Sequence, residues 1–577
     1  MKGSFVLVLH GHVPYMLGHG TWPHGSEMVM EAAAETYLPL LATFERLVEE
    51  GISPRVSMGL TPVLLEQLAD PRFKEWFSGY LVDKRNGAVR NQEEFESHGR
   101  GHVAYLAKRW DEFYGWVQHR FHDHHFGDLV GAFRSLQEAG HIELITSAAT
   151  HGYLPLLHED ASVQAQVKQG IACYERHFGR RPRGFWLPEC AYRPRCQWAP
   201  DPRIVGEAQA PYPRKGIEEF LAENGIDYFV VDTHLLSRGE PFPVEFSREE
   251  TLGKLWSRVS CLREPRPYDG ERTPHAAYFV GDHVEDHPPA AAFFRDPDLT
   301  LQVWSSQLGY PGDAAYLDFH KKHYPGGHRY WRVTDDTGDL GAKEEYDPDR
   351  AAERAREHAG NFLWRVKATL EHQPWLNGRA PVVAAPFDAE LFGHWWFEGP
   401  VWLEHVLRWM HQDPDLEVMT GTEYLAAHPP ATALALPEGS WGAGGHHWVW
   451  LNEWTEWTWR RIYAAEASLR ELVVAHPEPD ETLTRLLQQA ARELLLLQSS
   501  DWQFLITTWS ARDYAEHRAA AHFSDFELTA ALARRYADGE WLSESDWASF
   551  GSLCERDCLF PDVDLDWWRS LDRPALP

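Results

Sequence analysis

Short apolar runs alternate with helix-like stretches along most of the chain. The runs at 5–9, 55–58, 142–146, 184–187, 228–231, 301–304 and 381–385 are four or five residues long, too short for helices and apolar enough for buried strands. Between several of them, at 30–50, 62–77, 163–177 and 216–224, apolar positions recur at helical spacing. Strands alternating with helices predict βα units and a parallel sheet. Seven such strands predict an α/β fold, an incomplete (β/α)7 barrel of the TIM kind. Side chains that do chemistry in such barrels sit at the C-terminal ends of the strands. This sequence places its histidines and acids there.

Two segments interrupt the alternation. Residues 83–126 are charged and helical and end in His119, His122, His124 and His125, read as a solvated helix end. Residues 237–287 are rich in Pro, Arg and Glu without periodicity, the profile of a long loop, lid-like or disordered. From about residue 456 onward the pattern is helical, with an Ala- and Leu-rich stretch at 483–498. The expected division is a catalytic barrel over 1–425 and a helical C-terminal domain over 426–577 that contributes aromatic residues to the site.

Composition narrows the partners. The net charge of −31 repels phosphate backbones and anionic lipid, which argues against nucleic acid and membrane surfaces. No stretch approaches the roughly 18–20 apolar residues of a membrane span. The run at 5–9 stops at His10, too short for the core of a secretory signal, so it reads as a first strand. Six sparse cysteines fit a reduced, cytoplasmic thiol set, and Cys554 and Cys558 lack the second pair that a zinc site needs. The charge opposes aggregation, and a monomer or weak homo-oligomer is expected. The 27 tryptophans either fill cores or offer flat faces to a ligand.

Three constellations follow apolar runs. His10 and His12 follow the first, and alternation puts both on one side of the strand. They could bind metal, hydrogen-bond a ligand or pack; a metal deacetylase would want an Asp and a further histidine pair, so ligand hydrogen bonding is favoured. In the run Phe185-Trp186-Leu187-Pro188-Glu189-Cys190-Ala191-Tyr192, Glu189 stands between aromatics as a nucleophile or general acid. In Pro381-Val382-Val383-Ala384-Ala385-Pro386-Phe387-Asp388, a buried strand delivers Asp388, followed by His394, Trp395 and Trp396. Two carboxylates at two strand ends, framed by aromatics, suit glycoside chemistry.

With His151 in Ala149-Thr150-His151-Gly152-Tyr153, these motifs resemble glycoside hydrolase family 57. Gln302-Val303-Trp304-Ser305-Ser306, Ser440-Trp441-Gly442, Val449-Trp450-Leu451-Asn452 and Ser499-Ser500-Asp501-Trp502 sharpen the likeness to its α-1,4-glucan branching members. The resemblance implies an incomplete (β/α)7 barrel followed by a helical domain, with no metal and no other cofactor. It implies Glu189 as nucleophile, Asp388 as general acid/base, and His10, His12, His151 and Asp501 lining the substrate site. Trp304, Trp441 and Trp450 would hold a glucan such as amylose, glycogen or amylopectin. Branching members carry a loop tyrosine that shields the intermediate from water; Tyr268 and Tyr278 are its candidates, with His275 as a possible occupant of the same place. Trp454 and Trp457, three apart, are read as core packing. An α-amylase or 4-α-glucanotransferase on the same scaffold, a non-catalytic glucan-binding protein and a metal deacetylase are the competing readings.

Overall fold

The computed structural model describes residues 3–237, 272–281, 289–335, 339–376 and 378–573. Most of 237–287, Tyr268 included, lies outside the described residues.

Seven parallel strands form the centre: β1 (Gly3–Gly11), β2 (Ser57–Leu60), β3 (Glu143–Ser147), β4 (Gly184–Trp186), β5 (Tyr228–Val231), β6 (Ala291–Phe294) and β7 (Val382–Asp388). They lie side by side in the order β7-β1-β2-β3-β4-β5-β6. The ends of this curled sheet meet at a single bridge between Arg295 and Ala384, so the barrel is incomplete, as the strand pattern predicts. Tyr278–Val280 runs antiparallel along β6, and Leu416–Val418 pairs with the start of β1.

One strand departs from the sequence reading. The run at 301–304 ends a helix, Pro297–Trp304, and the barrel strand is the preceding β6. Asp296 caps that helix by accepting from the Leu299 N–H at 2.7 Å, and Pro297 sits in its first turn.

Alternation along the strands separates two cores. Val6, Val8, Ile145, Trp186, Tyr228, Val230, Phe293 and Ala384 fill the barrel interior. Phe5, Leu7, Leu9, Phe229, Val231, Phe294 and Val383 face outward against the helices. Each fully buried Val, Leu, Ile or Phe among them contributes about 1.5–3 kcal/mol, and these side chains make the interior a packed core and not a channel. The next inward position on β1 is His10, and it pairs in register with Asp388 on β7. The apolar pattern that builds the barrel thereby delivers two polar groups to its C-terminal mouth.

Around this core, helices Pro71–Ser97 and Gly101–His119 form a hairpin. Beyond it, His119 pairs with Asp123 at 2.8 Å in solvent, and His122 and His124 are exposed, as expected of a solvated helix end. His125 departs from that expectation: it is buried beside Arg120. Toward the C-terminus, helices Glu456–Ala475, Glu481–Leu497, Ser500–Thr508, Arg512–Ala537 and Glu544–Arg556 follow one another. Ser499 bridges to Gly152, which seats the start of Ser500–Thr508 on the barrel mouth. Among the described residues, no helix is long and apolar enough to cross a membrane.

Candidate active site

Glu189 follows β4 in a tight turn, Pro188–Cys190, with φ of 60° at Glu189 and 46° at Cys190. Left-handed backbone at residues with a Cβ costs roughly 1–2 kcal/mol each, and contacts must hold it. Trp441 supplies two of them. Its backbone N–H donates to the Glu189 carbonyl at 3.2 Å, and its indole N–H donates to Oε2 at 2.9 Å. The Ser500 hydroxyl donates to Oε1 at 2.9 Å.

That last bond orders a chain of protons. Ser500 has one hydroxyl proton, so toward His151, 2.9 Å away, it accepts from Nδ1–H. His151 Nε2 is then bare and accepts from Nε2–H of His10 at 3.1 Å. Burial holds both imidazoles well below their ordinary pKa, so both are neutral and can play these parts. The His10 ring lies flat on Trp186, centroids 4.4 Å apart, which fixes its plane. His151 itself has φ of 58°, a third left-handed residue at the same mouth.

His12 differs. Its Nδ1 meets the Thr61 hydroxyl at 3.0 Å and its Nε2 meets Asp501 at 2.9 Å. Burial opposes its charge, but Asp501 and the nearby carboxyls outweigh burial and raise its pKa. Asp501 is held down to about 2 against its own burial, chiefly by His12. Each favours the charged form of the other inside the wall.

Asp388, at the end of β7, has the opposite setting to Glu189. No described residue donates a hydrogen bond to its carboxyl. Burial pushes its pKa well up, and the Glu390 and Glu189 carboxyls push it further. Burial also raises Glu189, to about 7, with its two donors pulling the other way. Glu390 accepts from the His12 backbone N–H at 2.9 Å and from the Tyr37 hydroxyl, and burial raises it to about 7. Tyr37 closes a π-helical turn, Ala33–Tyr37, that packs against the loop after β7. Gly393 makes that fit possible: its φ is +115°, and a Cβ there would meet the Glu35 carbonyl at 1.8 Å.

His10, His12, His151, Glu189, Trp304, Asp388, Trp441, Trp450 and Asp501 all line one cavity of about 490 Å3. The sequence-predicted set is therefore brought together, from seven segments spread over nearly the whole chain, with one exception. Tyr278 is not there. It is buried in the strand Tyr278–Val280 against Phe294 on the outside of the sheet, and its hydroxyl is tied to the backbone of Thr273. His275 is likewise engaged elsewhere, with Asp296 at 2.8 Å.

The family model described as glycosyl hydrolase family 57 matches residues 6–437. The chain belongs to this family. A second model, described as the C-terminal part of 1,4-alpha-glucan branching enzyme, matches residues 461–568. The 1,4-alpha-glucan branching enzyme of Thermococcus kodakarensis is 41% identical, the match covering 100% of this chain and 80% of that protein. The crystal structure of the family 57 branching enzyme of Pyrococcus horikoshii superposes with a TM-score of 0.87 at 38% identity, covering 100% of this chain and 98% of that one. The α-amylase AmyC of Thermotoga maritima superposes with a TM-score of 0.78 at 27% identity, covering 99% and 100%.

Within this family member, sequence reasoning assigned no role to several residues at the site. Glu390 stands two residues past Asp388 and had an acidic side chain as its signal. Ser500 lies inside a quoted motif, yet nothing local says that its hydroxyl reaches Glu189. Arg295 pairs with Asp232 and lies over the Trp441 ring, centroid 5.6 Å away. Trp395 faces Trp304 across 5.7 Å. His12, His151 and Asp501 have ligand atoms within 4.8 Å of one another and could hold a divalent ion; here His12 Nε2 meets Asp501, and the His151 ring meets Ser500 and His10. Trp454 and Trp457 lie outside the cavity, and both are partly buried against the core.

Proposed function

We propose that this chain is a 1,4-alpha-glucan branching enzyme, which cleaves an α-1,4-glucan and transfers the segment to a 6-hydroxyl as an α-1,6 branch. The observation that carries the reading is the unequal pair of buried carboxyls in one aromatic-walled cavity. Glu189 has two hydrogen-bond donors that favour its anion. Asp388 has none among the described residues, and carboxyl neighbours that favour its acid form. A retaining double displacement needs that asymmetry, an ionised nucleophile beside a protonated acid.

In the first step the Glu189 carboxylate attacks the anomeric carbon while Asp388 protonates the departing glycosidic oxygen. The glycosidic bond breaks and a glucosyl ester forms on Glu189. The proton chain from His10 through His151 and Ser500 holds the nucleophile's lone pairs in place. In the second step Asp388, now a carboxylate, takes the proton from an acceptor 6-hydroxyl, and the ester is displaced. The apolar walls, Trp441 and Trp450 among them, limit the water that competes for the ester. Relatives named as branching enzymes at 41% and 30% identity, and the match over 461–568, favour transfer over hydrolysis. We further propose that the protein serves glycogen-type biosynthesis in the cytoplasm, as a monomer or weak homo-oligomer, on a neutral polymer that a chain of net charge −31 does not repel.

The test is incubation with amylose, followed by proton NMR for α-1,6 anomeric protons and a reducing-end assay. Branching gives α-1,6 linkages in excess over new reducing ends. New reducing ends with no α-1,6 linkage would make the protein an amylase and refute the proposal.

The pH dependence follows from the two environments. Glu189 must be ionised, so kcat/KM falls as pH drops below about 7, where it takes up its proton. Asp388 must be protonated, so kcat/KM falls again at higher pH, as its raised pKa is passed. Trp441→Phe removes a donor to the Glu189 anion and is expected to move the acid limb upward, read from kcat/KM profiles of the two proteins.

A further inference from the structure

Two elements that wall the cavity each carry one more tryptophan outside it. Trp450 lines the cavity, and Trp454 follows four residues later. Phe504 and Leu505 line it from helix Ser500–Thr508, and Trp509 ends that helix. Asp501, Phe504 and Leu505 line the cavity, and Trp509 follows at the C-terminal end of the same helix, about 7.5 Å along the axis from Phe504. The two outer tryptophans meet edge to face, ring centroids 6.0 Å apart.

Their setting is that of a prepared surface. Trp509 is 51% exposed although it is a large apolar side chain. It occupies the left-handed position that closes the helix, φ 59°, where glycine or asparagine is usual. The Arg512 guanidinium lies 4.7 Å from the Trp509 centroid and 5.9 Å from that of Trp454, and Glu516 holds it at 2.8 Å. The cation pins the ring while half of it stays in solvent, so little side-chain freedom remains to be lost on binding.

We propose that Trp509 and Trp454, fixed by Arg512, form an outer platform on which an α-1,4-glucan chain leaving the cavity stacks. The occupant follows from continuity: the platform stands at the end of the helix and on the loop that wall the cavity. Flat aromatic faces suit the apolar faces of neutral sugar rings. The inference rests on the proposed function, since the chain that stacks here is the one processed inside.

The test is affinity electrophoresis of the full-length protein in gels containing amylose, together with KM for long amylose. Trp509→Ala and Trp454→Ala are each expected to weaken glucan binding roughly five- to tenfold, with the loss in kcat/KM residing in KM. Trp509→Phe should keep part of the affinity. Trp541→Ala, at a tryptophan 89% exposed beyond helix Arg512–Ala537, is the control and should bind as the wild type does. Wild-type affinity and KM in both Trp509→Ala and Trp454→Ala would overturn the platform while leaving the proposed function intact. A wild-type protein that neither binds nor branches amylose would overturn both.

Discussion

Glu189→Gln is expected to lower kcat on amylose by ~10,000-fold or more, about 5.4 kcal/mol of lost transition-state stabilisation. The amide has the shape of the carboxylate. Its oxygen can still accept from the Trp441 indole, and its NH2 can donate to Ser500, so the left-handed turn keeps its contacts. What disappears is the nucleophile. Stability should not fall with activity, and the direction can be worked out. Glu189 has a pKa raised to about 7 in the fold, above the ordinary 4.5, so the folded state holds that proton more tightly than the unfolded chain. Its ionisation therefore costs stability progressively as pH rises from about 4.5 to 7. The neutral amide removes this cost. Thermal unfolding at pH ~8 should show a Glu189→Gln midpoint no lower than the wild type's, alongside the loss of turnover. An inactive variant that also unfolds early would mean that the substitution had only broken the site.

Asp388→Asn is expected to lower kcat on amylose by about 1,000- to 10,000-fold, the range for a lost general acid with a poor leaving group. The loss should depend on that leaving group. With an α-maltosyl fluoride donor, fluoride departs without a proton, so formation of the glycosyl ester should fall by less than ~10-fold. Rapid-quench measurement of fluoride release checks this. An equal loss on both substrates would remove Asp388 from the acid role and leave it a structural or electrostatic part of the wall.

Much of the barrel was legible because its strands are buried on both faces and therefore read as continuous apolar runs. Six of the seven runs fall on barrel strands. The seventh failed for a physical reason. Leu301-Gln302-Val303-Trp304 fits a two-residue period as well as a helical one, and the deciding signal lay upstream, in Asp296 and Pro297 at a helix start. The real strand, Ala291–Phe294, was masked by alanines that carry little apolar signal. At the site, strand-end acids could be found from position alone. The partners that give them different chemistry could not, because Ser500 and Trp441 are hundreds of residues from His151 and Glu189 in the sequence and meet them only in the fold. Asp501 and the tryptophans entered through family resemblance. Tyr278 was misassigned because an aromatic near a loop gives no sign of which face of a strand it occupies; here it faces outward, against Phe294.

The assignment of the two carboxyls can be decided by trapping. Asp388→Asn incubated with α-maltosyl fluoride should form the glycosyl ester and lack the base to pass it on. Acid quench, peptic digestion and tandem mass spectrometry would then locate the added maltosyl mass. It should sit on the carboxyl of Glu189 and be absent from the Glu189→Gln protein treated in the same way. A maltosyl group on Glu390, Asp501 or any other residue, or wild-type transfer by Glu189→Gln, would contradict the mechanism drawn from this site.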